Sequence, residues 1–143
     1  MKHNDETERL LTERFGKDSL IALATIEGTT PYVRTVDGVY IDGAFYVVTY
    51  RLSGKMQQIA KNPVVAISGE WFTAHGVGQN LGHVLLPENS AIMIILRDAF
   101  AAWYDNGHTN EGDSNTCLLK IKLTDAVLFA EGKRYDIEFG EIK

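Results

Sequence analysis

Tyr32-Val33-Arg34-Thr35-Val36-Asp37-Gly38-Val39-Tyr40-Ile41, Asp42-Gly43, Ala44-Phe45-Tyr46-Val47-Val48-Thr49 is the stretch whose reading decides the fold. Two β-rich runs flank Asp42-Gly43, a pair that accepts the positive φ angles of a type I′ turn. Tyr32 to Ile41 and Ala44 to Thr49 are therefore predicted as a β-hairpin. Beyond Tyr50-Arg51-Leu52 the period changes. In Ser53 to Lys61, Met56, Ile59 and Ala60 fall on one side of a helix, and Asn62-Pro63 stops it. Ser53 is placed to act as N-cap, which aims the amides of Gly54 and Lys55 at whatever precedes the helix.

Outward from this stretch the pattern stays β-rich. Ser19 to Glu27 reads as a strand apolar on both faces, joined to the hairpin by the turn Gly28-Thr29-Thr30-Pro31. Strands in succession with short turns are antiparallel. Val64 to Ser68 is a further strand. Trp71 to Leu86, with glycines at 76, 78 and 82, reads as a bent or bulged strand pair. Thr116 to Ala130 reads as a long strand with a break near Thr124-Asp125, and Arg134 to Phe139 as the last strand. Asp5 to Phe15 is predicted helical, with Leu10, Leu11 and Phe15 on one side. Ser90 to Asp105 is the third helix, with Ile92, Ile95, Leu96, Ala99, Phe100 and Trp103 as its core stripe. Asp105 to Asn115, which contains His108, is read as a polar surface loop rather than a lid. About six strands and three helices close most naturally as a single domain over residues 1–143: a mainly β, six-stranded antiparallel barrel with peripheral helices.

The 143 residues carry a net charge of -5, 45% hydrophobic residues and a single Cys117. One cysteine excludes an internal disulfide and a cysteine-rich zinc site. The N-terminus shows no signal-peptide pattern, and the longest purely apolar run, Ala91 to Leu96, is far too short to span a bilayer. An acidic chain with no basic stripe is a poor nucleic-acid binder. These features predict a cytoplasmic protein acting on a small molecule, without nucleic acid or membrane as partner.

Against that acidic background Tyr32 to Pro63 is positive, with Arg34, Arg51, Lys55 and Lys61 against Asp37 and Asp42. Metal and nucleophile chemistry find little support. His3, His75, His83 and His108 lack the i, i+4 spacing of a helical metal site, although His75 and His83 could converge on a bent strand pair. There is no nucleophile elbow, Walker loop or dinucleotide fingerprint. A phosphate site remains. Arg34 and Lys55 supply cations, and Thr49, Ser53 and the helix-start amides supply donors. A planar heterocycle lying along Arg34 to Gly38, near Trp71, completes a pattern that fits FMN better than a dinucleotide.

The same residues carry a resemblance. Arg34-Thr35-Val36, the hairpin, Val48-Thr49, Ser53-Gly54-Lys55, Gln58-Ile59 and Asn62-Pro63 resemble the FMN-binding pattern of the pyridoxamine 5′-phosphate oxidase-like split-barrel family, in its short, general-stress-protein-like branch. The resemblance implies a split β-barrel, a homodimer with FMN at the interface, and an oxidoreductase with an unassigned small substrate. It implies that Arg34 and Lys55 hold the phosphate and that Thr35, Val36, Val48, Thr49 and Gly54 surround the ribityl chain and ring. Trp71 falls where the family places a ring contact from a neighbouring strand. Non-catalytic flavin binding, a stress-response role, or exchange of FMN for haem or F420 stand as alternatives. The family's Arg-x-His substrate motif is replaced by Arg134-Tyr135-Asp136, with Glu138 and Glu141 following, which argues against pyridoxamine 5′-phosphate as substrate.

Overall fold

The computed structural model describes residues 1–107 and 109–140, so His108 and Glu141 lie outside the described residues. Its elements are α1 (Asp5–Phe15), β1 (Ser19–Glu27), β2 (Thr30–Ile41), β3 (Ala44–Tyr50), α2 (Gly54–Lys61), β4 (Val64–Gly69), β5 (Phe72–His83), a 3-10 turn (Pro87–Asn89), α3 (Ser90–Ala99), β6 (Thr116–Ala130) and β7 (Lys133–Glu138). The strands form one antiparallel sheet in the order β3-β2-β1-β4-β5-β6-β7, and β3 also pairs with β6. That pairing closes six strands into a barrel and leaves β7 as an extra strand on β6. Closure removes two sheet edges that would otherwise seek partners.

The hairpin forms as its turn chemistry dictates. Asp42 and Gly43 both take positive φ, 46° and 80°, and Tyr40 pairs with Phe45 across them. Alternation then sends Ile21, Leu23, Val36, Phe45, Val47, Val65, Ile67, Leu119 and Ile121 into the barrel. α1 begins with a capping box between Asn4 and Thr7. It buries Leu10, Leu11 and Phe15, whose ring meets those of Phe45 and Phe72 at one end of the barrel. α2 covers the opposite end with Met56 and Ile59. Burying each of these side chains contributes roughly 1.5–3 kcal/mol. α3 lies outside the barrel and packs Met93, Leu96 and Phe100 against Val39, Tyr46 and Leu118.

Four details differ from the sequence reading. The six-stranded barrel is as expected, and β7 is a seventh strand among the described residues, added to a barrel that is already closed. Residues 72–83 form one strand, with register shifts at His75/Gly76 and Asn80/His83 absorbing the bends expected of a strand pair. The expected break near Thr124-Asp125 is the other side of the first shift, and β6 runs through it. α3 ends at Ala99 and its buried line is centred on Met93 and Leu96, so Ile95 is turned outward and 44% exposed. No helix among the described residues is long and apolar enough to cross a membrane.

Candidate functional site

The barrel is split where β2 meets β3. Their ladder has three residue pairs, Val39 with Tyr46, Tyr40 with Phe45, and Ile41 with Ala44. Beyond Val39 the two strands separate. β2 continues alongside β1 as far as Thr30, and β3 continues alongside β6 as far as Tyr50. Each strand is thus held from behind while its facing edge, Arg34 to Asp37 on β2 and Val48 to Tyr50 on β3, has no ladder partner among the described residues. An unpaired edge leaves N–H and C=O groups to be satisfied by water or by a ligand. Thr35, Val36, Val48 and Thr49 therefore flank one seam. Thr35 is exposed, Val36 is buried, and Val48 and Thr49 are partly buried.

Arg34 stands at the same end of the barrel as α2. Its Nη1 donates to Leu23 O at 3.1 Å and Thr25 Oγ1 at 2.7 Å, and its Nη2 donates to Gln58 Oε1 at 3.2 Å. Thr25 Oγ1 also donates to Gln58 Oε1. These bonds fix the guanidinium plane and use the two Nη1 hydrogens and one on Nη2. The Nε–H and the second Nη2 hydrogen have no partner among the described residues, which leaves the bidentate fork that suits a phosphate. Burial holds the Arg34 guanidinium below its ordinary pKa.

Lys55 opens α2 beside it. Its ammonium is pushed below the usual lysine value by burial and then by the nearby Arg34 charge, partly offset by Cys117. Neither cation has an ion pair among the described residues, whose acidic groups are engaged elsewhere or exposed. Burying positive charge without a counter-charge is unfavourable, and an anion placed between the two would relieve it.

Ser53 occupies the N-cap position of α2 with extended backbone, φ -66° and ψ 158°, yet its side chain makes no capping bond. Its Oγ is buried and is the one such side-chain atom without a hydrogen-bond partner among the described residues. The first amides of a helix lack intrahelical acceptors, so Gly54 and Lys55 add donors and the positive end of the dipole. A cavity of about 390 Å³ adjoins the site, lined in part by Gly54, Gln58 and Lys61.

The structure brings Arg34, Thr35, Val36, Val48, Thr49, Ser53, Gly54 and Lys55 to one end and one seam of the barrel. Trp71 is not among them. It sits at the β4–β5 turn at the other end, 71% exposed with φ 51°, its ring edge on Phe129. Sequence reasoning gave no role to Thr25 and Gln58, which orient Arg34; the Gln58 position inside the quoted pattern was the available signal. It also passed over Asp37, on the seam edge, whose carboxyl is raised to about 6 by burial and by Asp18. His75 and His83 do not converge: His75 meets Asp125 and His83 meets the backbone carbonyl of Glu111. No metal-type cluster occurs among the described residues. The 105–115 loop is tied down through Glu111, which accepts from Arg97 Nε at 2.8 Å and Tyr104 OH at 2.6 Å.

A β2–β3 seam in a six-stranded antiparallel barrel defines this chain as a split-barrel protein. Its fold is that of the pyridoxamine 5′-phosphate oxidase-like proteins. A solved protein from Clostridium acetobutylicum, related to general stress protein 26 of B. subtilis and assigned to the pyridoxinephosphate oxidase family, is 15% identical with a TM-score of 0.61, over 91% of this chain and 90% of its own. An FAD-binding protein from Mesorhizobium loti is 15% identical with a TM-score of 0.58, over 82% and 90%. A haem-binding protein from Mycobacterium smegmatis is 16% identical with a TM-score of 0.68, over 96% of this chain and 60% of that one. No family model and no curated protein matches the chain by sequence.

Proposed function

We propose that this chain binds FMN and works as an FMN-dependent oxidoreductase on a small substrate. The observation that carries the reading is the donor set at and beside the start of α2: two cations without counter-charge, and a buried Ser53 Oγ without a partner, among the described residues. The terminal phosphate is held by Arg34, Lys55, Ser53 Oγ and the first amides of α2. The ring system lies along the seam, where Thr35, Val36, Val48 and Thr49 offer unpaired backbone groups and methyls. Bound FMN supplies hydride and electron-transfer chemistry, and the chain supplies binding, orientation and electrostatics. FMN is favoured over riboflavin-type ligands because the site is built for a dianion.

The functional unit we propose is a homodimer with the cofactor at its interface. Tyr32, Tyr50 and Leu52, 43%, 43% and 48% exposed, rim the phosphate end of the seam. A second copy seated there shields the ring from water and is the route by which Trp71, at the far end of its own barrel, approaches that ring. Sedimentation in the presence of FMN is expected to give twice the mass of the 15.9 kDa chain.

The test is the absorption spectrum of the purified protein, followed by anaerobic addition of NADH or NADPH. A flavin spectrum bleached by either cofactor supports the reading. A flavin that stays oxidised indicates binding without turnover, and a Soret band or a deazaflavin spectrum replaces FMN with haem or F420.

A further inference from the structure

On the outer wall of the barrel β1, β2, β4, β5 and β6 form a groove of about 300 Å³, none of whose lining residues is among those assigned to the phosphate. Methyl groups from Ala22, Ala24, Ala66, Val33 and Val127 make most of its wall, Ser68 and Thr73 add hydroxyls to it, and His75 with Asp125 forms a polar pole. His75 Nδ1 and Asp125 Oδ1 are 2.9 Å apart.

A register shift builds the pole. From Val77 with Lys122 and Gly76 with Leu123, regular pairing would set His75 opposite Thr124. Thr124 is instead extruded, its carbonyl accepting from Phe139 N at 3.0 Å, and Asp125 becomes the partner of His75 on the same outer face. Gly76 permits the approach, since a Cβ there would lie 2.7 Å from Lys122 O. A bulge that re-aims a side chain is a recurrent device beside binding sites. Stability does not account for it, because a pair with side chains 64% and 56% exposed contributes little.

With Nδ1 engaged by the carboxylate, the ring orientation is fixed and Nε2 is the free nitrogen. Nε2 has no partner among the described residues. A neutral ring accepts a hydroxyl proton there, and a protonated ring donates to the corresponding anion. An apolar cavity of roughly 150 Å³ holds benzene, so this groove has room for a substituted ring.

We infer that the groove is a binding site for a small planar molecule bearing one weakly acidic hydroxyl, a phenol or hydroquinone, with His75 as its hydrogen-bonding partner and Asp125 as the residue that positions His75. The inference does not depend on the flavin.

The probe is 4-nitrophenol, titrated into the full chain with and without FMN and followed by its absorption. Saturable binding is expected in both cases. His75→Gln is expected to weaken it about tenfold, the equivalent of one hydrogen bond, and Asp125→Asn to weaken it in the same direction. 4-Nitroanisole, which has no hydroxyl proton, should bind at least about tenfold more weakly and be indifferent to His75→Gln. Ala24→Leu, which fills the floor without touching the pole, should abolish binding of both. No saturable binding, equal affinity for the two probes, wild-type affinity in His75→Gln, or wild-type affinity in Ala24→Leu overturns the assignment. Flavin fluorescence recorded on the same samples reports separately on the FMN site.

Discussion

Lys55 lies near enough to Arg34 that, after burial, the guanidinium is what lowers the pKa of its amine, and no carboxylate among the described residues pairs with either cation. Two like charges drawn together and left unneutralised are a cost to folding that a bound anion removes. A site of this kind trades stability of the free protein for ligand affinity.

The trade can be measured. Lys55→Met should weaken FMN binding by about 1.5–3 kcal/mol, the usual worth of a charge-assisted hydrogen bond. The same change should leave the ligand-free protein as stable as wild type, or more stable by up to about 1 kcal/mol once solvent screening is allowed for. Ser53→Ala should likewise leave the free protein unharmed, because its Oγ makes no bond to lose, while weakening FMN by about 1 kcal/mol. Urea denaturation with and without FMN checks both. Variants that lose stability without ligand and keep FMN affinity would make these residues structural.

Asp37 gives the fold a pH signature. Its carboxyl is raised from the ordinary 3.8 to about 6 by burial and by the hydrogen bond and charge of Asp18, which in turn accepts from Trp103 Nε1 at 2.8 Å. Between those two values the folded chain keeps a proton that the unfolded chain has released. Stability therefore falls as pH rises from about 4 to about 6, and the cost is complete above that window. Asp37→Asn should remove it, gaining on the order of 1 kcal/mol above the window after allowance for partial exposure, and nothing below it. Denaturation midpoints of the two proteins that stay parallel from one side of the window to the other would rule this out.

Tyr40 locks α1 to the hairpin. Its ring is 1% exposed, its hydroxyl donates to Glu8 Oε1 at 2.6 Å and accepts from Gly43 N at 3.0 Å. Burial and Glu8 both hold the phenol well above its ordinary pKa. Tyr40→Phe keeps the ring but leaves the Gly43 amide without its acceptor and takes one of two partners from Glu8 Oε1, which keeps His3 Nε2 at 3.1 Å, so a loss of about 1–3 kcal/mol is expected in chemical denaturation. A loss below about 0.5 kcal/mol would show that water replaces the hydroxyl.

Much of this was legible in the sequence because local chemistry and tertiary packing agree. Asp42-Gly43 demanded the hairpin, the Met56/Ile59 spacing demanded α2, and Leu10, Leu11 and Phe15 are the face α1 buries. The seam was not legible, since nothing in Thr35 or Val36 says where a ladder ends; β1 and β6 pull the two strands apart from behind. The place of Trp71 escaped for a related reason. Proximity along the chain to β4 says nothing about which end of the barrel the turn occupies. The Thr124 bulge showed only as an irregularity in a strand, and its consequence for His75 depends on a partner strand about fifty residues away.

Pyridoxamine 5′-phosphate should not be turned over. Its own phosphate calls for a second anion site, and the last strand offers Lys133, on the opposite alternation, and Arg134, whose Nε and Nη2 are already bonded to Asp136 at 3.0–3.3 Å. Asp136 and Glu138 share the exposed face with it. An aerobic assay of FMN-loaded protein is expected to show no pyridoxal 5′-phosphate above the background of free FMN. Turnover near roughly 10 per second, typical of enzymes, would mean that the substrate phosphate is held elsewhere.

The most direct measurement of the central claim is a pair of calorimetric titrations at low salt, one with FMN and one with riboflavin. The ligands differ only in the phosphate for which Arg34, Lys55 and Ser53 are assigned. FMN should bind at least about a hundredfold more tightly, the equivalent of two lost charge-assisted hydrogen bonds at the lower end of their range. Raising the salt should narrow the gap, and Arg34→Ala with Lys55→Ala should nearly close it. Equal affinity for the two flavins, or a gap that survives both substitutions, would contradict the account.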